Sequence, residues 1–487
     1  MQVTVMVIVV IYMAGMLLMG YRASKNIKNT TDFLIAGRKF GPFLMAGTLA
    51  ATEIGGGSSL GVVENASTLG RNAWGMSAAW YVLTMGIAFA IITFFAAKLR
   101  STEIRTVPEF FRRKYGHTAG VFTSITMILP LIGLTAGQFM ASAVIASTML
   151  GISYSAALFL CASVVIIYSV MGGMWSIAVT DLIQLFLIIF GMAIAIPFAI
   201  NYAGGWEEVK ANVPPETFDM FKGIGGPRAI IALTIMYVAT FTVGQEAVSR
   251  YYSARDGKAA VQGSIMTAFA NAIYAFIPAL IGVTTLALVN MGKIPKDVIL
   301  SQGASYSLPV LAVNTMPPII VAILFTGIIS ATMSSADSDL LGAGSIFTND
   351  IYKQYIKKNE TDKHYMRVTR IVMVIVGVFS LIVALNARNL IALLMFSFTL
   401  RAAGAFFPYV IGHYWKKSST AGAIASLIAG SVVVVVYEQK LIPGLGFFGW
   451  EQQAIIPGLA CALVAYIIFS LIFPSKSGTV KLPPEAN

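Results

Sequence analysis

Small oxygen-bearing residues gather at two places inside otherwise apolar stretches, with spacings suited to a small hard cation. Gly55, Gly56, Gly57, Ser58 and Ser59 interrupt the run LMAGTLAATEIGGGSSLGVVENAS. Three glycines followed by two serines should unwind a helix, and in hydrocarbon each freed carbonyl costs several kcal/mol unless something takes it up. The break therefore predicts a binding site lined by bare backbone, in preference to close helix packing alone. The second place is FTGIISATMSSADSDLLGAGSIFTNDIY, where Ala331, Ser334, Ser335 and Ser338 share one helical face. Their hydroxyls and carbonyls are hard ligands of the kind that alkali cations prefer.

Ionisable groups lie close by in the sequence. Intramembrane carboxylates are costly and by default mark ion or proton pathways, so Asp181 and Asp337 are read as ion ligands. Asp339, with Ser335 one helical turn before it, is open to an ionic or a structural role. Glu53, one residue before the break, is open to the ion, to a substrate amine or to Arg401. Arg401, in LLMFSFTLRAAGAFFPYV, is the strongly basic residue placed inside a span. It either neutralises a substrate carboxylate or pairs with Glu53 or an aspartate. Gln138, Tyr237, Thr240 and Asn271 are further polar groups at depth, and Trp80, Tyr81 and Phe241 are candidate gating or stacking aromatics. Gly56 and Ser58 at the break join the candidate substrate residues.

The elements that must position these groups are membrane helices. Of 487 residues, 57% are apolar and 11% charged, against about a quarter charged in soluble proteins. That excludes a soluble enzyme and predicts an all-α polytopic membrane protein. Thirteen apolar spans are expected, near 2–20, 41–70, 74–98, 119–150, 152–170, 176–203, 228–250, 258–290, 314–350, 366–386, 389–414, 419–438 and 453–474. The first carries no basic flank and no small-residue cleavage site, and reads as an uncleaved helix. Most of the 33 lysines and arginines fall on alternate connections, which orients the chain with its N-terminus outside and its C-terminus cytoplasmic. The net charge of +12 then reflects topology, and nucleic acid is not an expected partner. Cys161 and Cys461 lie in apolar runs, and His117, His364 and His413 lie in loops or at helix ends. No disulfide framework, zinc cluster, organic cofactor or catalytic chemistry is expected.

Setting aside the first span and the last two leaves ten. Because five is odd, two halves of five must cross the bilayer in opposite senses, as an inverted repeat requires. The expected organisation is a helix and cytoplasmic loop (1–40), a first repeat (41–203), an external loop (204–227), a second, inverted repeat (228–414) and two further helices with a short cytoplasmic tail (415–487).

Four stretches, TVPEFFRRKYG at 106–116, GGMWSIAVTDLIQ at 172–184, GQEAVSRYYSARD at 244–256 and SSADSDLLGAGSIFTNDIYK at 334–353, resemble the sodium/solute symporter family. That family includes proline, pantothenate, sialic acid and sodium/glucose cotransporters. The resemblance implies a LeuT-type five-plus-five fold, sodium as coupling ion and a small-molecule solute imported across the plasma membrane by alternating access. It implies a main sodium site of the Ala51, Ile54 and Ala331 carbonyls with the Ser334 and Ser335 hydroxyls. It implies a second sodium or proton site at Asp181, Ser334, Asp337 and Ser338, where Asp337 replaces the usual serine. Its substrate positions fall on Ser58, Tyr237, Asn271 and the vicinity of Arg401. The Gln, Asn and Lys pattern of the sugar carriers is missing, and Arg401 points to a carboxylate-bearing or amino-acid-like solute. A proton-coupled carrier using Asp181 and Asp337, or a membrane solute sensor, are the alternatives; oligomeric state is left open.

Overall fold

The structure is a computed structural model that describes residues 2–25, 27–69, 73–450 and 453–474. Among them the chain is helical, and pairing of extended backbone is confined to one isolated bridge between Phe40 and Ala254. The principal helices are α1 (Gln2–Ser24), α2 (Pro42–Glu53), α3 (Val62–Ala66), α4 (Trp80–Ser101), α5 (His117–Leu150), α6 (Tyr154–Met171), α7 (Met174–Ala203) and α8 (Gly226–Val243). They continue as α9 (Gln245–Ser253), α10 (Gly257–Tyr274), α11 (Phe276–Asn290), α12 (Pro318–Ile346), α13 (Asp362–Asn386), α14 (Leu390–Gly412), α15 (Thr420–Glu438) and α16 (Ile455–Ile472).

Among the described residues, eleven helical stretches are long and apolar enough to cross a membrane; α1 and the interrupted α2–α3 segment stand beside them. Hydrocarbon cannot hydrogen-bond backbone, so a spanning chain must stay helical except where protein groups compensate. The ends follow local chemistry. Asn29, Thr106, Ser153, Thr361, Asn389 and Ser419 cap the helices that follow them with side-chain oxygens. Gly151, at φ 65°, ends α5 in the left-handed conformation that favours glycine.

Helix α12 is the central element, packed against α7, α5 and α13, with α1 on another side. Its backbone approaches α7 closely at two glycines. A Cβ on Gly327 would stand 2.9 Å from the Leu187 carbonyl oxygen, and one on Gly191 3.1 Å from that of Ile323. Small residues at a crossing let two helices meet backbone to backbone, and this contact carries Asp181 of α7 up to Ser334 of α12. Helix α10 packs on α4 and α2, and α2 packs on α7.

The span expected at 228–250 is two helices. Helix α8 stops at Val243, Gly244 is extended (φ −67°, ψ 120°), and α9 restarts at Gln245. Sequence periodicity does not reveal this break because both flanks remain compatible with helix. The 204–227 loop holds the short helices Trp206–Ala211 and Pro215–Phe218. It packs against the start of the Gly75–Ala79 turn, where a Cβ on Gly75 would meet the Thr217 carbonyl oxygen at 2.4 Å.

Candidate functional site

The α2 break works by redirecting two amide hydrogens. In a continuous helix Gly55 N–H would bond the Ala51 carbonyl and Gly56 N–H that of Thr52. Instead Gly55 N–H bonds the Glu53 carbonyl at 3.0 Å, and Gly56 N–H bonds Gln138 Oε1 of α5 at 2.8 Å. The Ala51 and Thr52 carbonyls are thereby freed. The serine pair of α12 meets them: Ser334 Oγ lies 3.1 Å from the Ala51 oxygen and Ser335 Oγ 2.8 Å from that of Thr52. Ser335 also lies 3.1 Å from the Ala331 carbonyl. Beyond the break, Gly57–Gly61 winds as a wide π turn.

Of the expected main ion ligands, Ala51, Ala331, Ser334 and Ser335 come together. Ile54 sits at the break with φ −82° and ψ 75°, but neither serine bonds its carbonyl; Thr52 supplies the adjacent freed oxygen. These are neutral, hard oxygens on two buried helices, a donor set that fits sodium in preference to a softer or more highly charged ion.

Asp181 is fully buried beside this cluster. Its Oδ1 lies 2.6 Å from Ser334 Oγ, and its Oδ2 accepts from Thr48 and lies 3.4 Å from Arg250 Nη2. Arg250, on α9, is 0% exposed; it bonds Ser338 Oγ, and its Nη1 bonds the Glu246 carbonyl at 2.7 Å. The expected second site thus brings Asp181, Ser334 and Ser338 together around a guanidinium. Asp337 is not in the group: its carboxylate accepts from Ser169 of α6. Arg250 stands at the end of the expected 228–250 span, and the restart at Gly244 places it on α9 inside the bundle.

Arg401 is paired with Glu246, at 2.6 Å between Nη1 and Oε2 and 2.6 Å between Nη2 and Oε1, and its Nε donates to Thr240 at 2.6 Å. Both partners are buried. Gly244 makes room for the pair, since a Cβ there would lie 2.6 Å from Arg401 Nη2. The partner expected from sequence was Glu53 or an aspartate; the observed one is the acid that opens α9.

A narrow cavity of about 20 Å³ lies beside these clusters, room for about one water molecule, so a solute bound there must displace part of its walls. Its walls include Thr52, Glu53, Gly55, Gly57 and Ser58 of the break, Tyr81 and Met85 of α4, and Leu134 and Gln138 of α5. Glu246, Ser335, Asp339, Leu394 and Phe398 complete it. Of the candidate substrate residues, Glu53, Ser58 and Gln138 line this space, and Gly56 abuts it through its bond to Gln138. Tyr237 stands behind the wall, with ring centroids 5.8 Å from Tyr81 and 5.7 Å from Phe398, and stacks on Phe241 at 5.2 Å. Thr240 and Arg401 support Glu246. Asn271 is turned to the Thr267 carbonyl at 3.0 Å, and Trp80 packs on Phe221 of the 204–227 loop at 5.9 Å; neither lines the cavity. Sequence reasoning missed Glu246, Leu394 and Phe398 as lining residues. The acid after Gly244 was the available signal.

The four motif stretches meet in space. Gln245 accepts from Val107 N–H and donates to the Arg105 carbonyl, both at 3.0 Å. Asp350 pairs with Arg112 at 3.0 Å. Together with Asp181, Arg250 and Ser334 these tie α7, α9 and α12 to the Val107–Tyr115 helix.

The break tolerates little added bulk. A Cβ on Gly56 would stand 2.3 Å from the Ala141 Cβ, so Gly56→Ala is expected to cost about 1–3 kcal/mol through overpacking. A drop in the melting temperature of the purified variant measures it, and an unchanged melting temperature would mean that the break can relax.

Residues 33–430 match the model of the sodium:solute symporter family, and the chain belongs to that family. It is 26% identical over 490 residues to the osmoregulated proline transporter OpuE of Bacillus subtilis, covering 97% of this chain and 95% of that one. It is 27% identical to the sodium/proline symporter of Escherichia coli, covering 97% and 93%. Its fold is similar to that of a Na+-coupled sialic acid symporter in a substrate-bound outward-open state. The TM-score is 0.81 at 22% identity, over 98% of this chain and 99% of that one.

Proposed function

We propose that this protein imports a small polar organic solute by coupling it to sodium entry, through alternating access in the plasma membrane. The observation that carries the reading is the meeting of the freed Ala51 and Thr52 carbonyls with Ser334 and Ser335. A sodium ion there would hold the broken α2 against α12, and its departure would loosen the wall of the adjoining cavity. Ala331 completes the ion's ligand set in this reading, with Ile54 at its edge. Thirteen spans, a five-plus-five inverted repeat and an N-terminus outside form the accompanying topology. The breaks in α2–α3 and at Gly244 support it, as does the concentration of basic residues on alternate connections. No enzymatic step and no organic cofactor enter the reading. Of the solute chemistries raised by the sequence, one held through an amine is favoured over one held through a carboxylate, because Arg401 is already engaged by Glu246.

Sodium binding to the folded state raises stability by RT ln(1 + [L]/Kd), about 2.7 kcal/mol at a hundred times Kd. The purified protein is therefore expected to melt at a higher temperature in sodium chloride than in potassium chloride of equal strength, with a saturable dependence on sodium. Equal melting in the two salts, with acidification alone raising stability, would replace sodium by the proton and shift attention to Asp337.

A further inference from the structure

We infer that the transported solute is a small organic cation bearing N–H donors, such as a protonated amine, amidine or guanidine, held by Glu53 and Asp339; this rests on the symport reading above. The charge pattern of the cavity carries the inference. Three carboxylates line it: Glu53, Glu246 and Asp339. Glu246 is neutralised by Arg401, and the other buried guanidinium, Arg250, is engaged by Asp181. Glu53 and Asp339 therefore face the cavity without a cation of their own.

Neither is satisfied by hydrogen bonds. Glu53 is 8% exposed and its Oε1 has no hydrogen-bond partner. Asp339 is 3% exposed, and among the described residues no side chain or backbone amide donates to its carboxylate. A buried unpaired carboxylate is expensive, and a pair of them across one cavity calls for an occupant that brings positive charge and N–H groups. A quaternary ammonium brings charge without donors; an anion meets repulsion and no free arginine. A divalent metal is a poorer fit, because among the described residues no three His, Cys, Asp or Glu side chains converge as ligands.

The remaining walls suit the same class. Tyr81 lines the cavity, and an aromatic face attracts a cation; the Phe398 ring already carries Arg401 at 5.3 Å. Met85, Leu134 and Leu394 form the apolar part of the wall.

The test uses the full-length protein in detergent, with sodium or potassium chloride and agmatine, ethanolamine, choline, proline or lactate as probes. Agmatine or ethanolamine is expected to raise the melting temperature further in sodium, while choline, proline and lactate do so weakly or not at all. Glu53→Gln and Asp339→Asn are each expected to weaken amine binding about tenfold or more, the worth of one charge-assisted hydrogen bond. The sodium-only shift, read on the same samples, reports whether each variant still folds and binds its ion. A sodium-dependent response to proline or lactate with none to the amines overturns the inference and leaves symport standing. Wild-type amine affinity in both variants also overturns it. Loss of every sodium effect in the wild-type protein defeats the symport reading itself.

Discussion

Arg401→Gln is expected to be the most damaging single change in the molecule. Removing one partner of a buried ion pair leaves the other charge uncompensated and costs about 3–5 kcal/mol. Here the abandoned group is Glu246, which faces the same cavity as Glu53 and Asp339, so the remaining carboxylates would repel one another without a guanidinium among them. The variant should melt far below the parent or fail to accumulate in the membrane. The companion Arg401→Gln with Glu246→Gln removes both charges and keeps hydrogen-bonding amides, and should recover much of the lost stability. A single variant that melts like the parent, or a double variant no better than the single, would show that the pair is not what holds α14 to α9.

The second large effect concerns the serine pair. Ser334 and Ser335 are neighbours with different tasks. Ser335 bonds only the Thr52 and Ala331 carbonyls, whereas Ser334 also lies 2.6 Å from Asp181. Ser335→Ala is therefore the cleaner probe, expected to raise the sodium concentration for half-maximal stabilisation by about 10–100-fold, the worth of one ligand to a charge. Ser334→Ala with Ser335→Ala should carry the requirement beyond accessible sodium concentrations and also lower the melting temperature in potassium, because the buried Asp181 loses its Ser334 partner. Sodium half-saturation at the parent value in Ser335→Ala would remove this hydroxyl from the ion site.

What was readable in advance divides along a physical line. Composition and apolar run length marked most of the eleven long apolar helices to within a few residues, because a helix in hydrocarbon is long and uniformly apolar. The glycine triplet was legible because few other arrangements need three glycines in succession. The serines of α12 were legible because a helical face has a fixed period. Arg250 and Glu246 were not. Both lie just past Gly244, and the sequence around one glycine does not say whether a helix continues or stops. Asp337 was assigned to the ion because carboxylates at membrane depth mark ion pathways and the family's second-site pattern falls on it, yet it lies on a different side of the helix from Ser338 and accepts from Ser169. Trp80 and Asn271 were grouped with the substrate by type and depth, whereas their partners, Phe221 and the Thr267 carbonyl, lie on elements whose placement no local pattern encodes.

The guanidinium of Arg250 is a permanent occupant of the position between Asp181 and Ser338. A mobile ion arriving there would face a like charge, at a cost of about 4 kcal/mol for unit charges 4 Å apart at an effective dielectric of 20. We expect the tethered cation to keep a second ion out, so that sodium saturation follows a simple hyperbola with a Hill coefficient near one; a coefficient near two would show that a second ion binds. One sodium at 100 mV supplies about 2.3 kcal/mol, roughly a fiftyfold concentration ratio. A singly charged solute is itself drawn inward by the same voltage. A carrier that moves one sodium with one singly charged solute would draw on the membrane potential twice in each cycle.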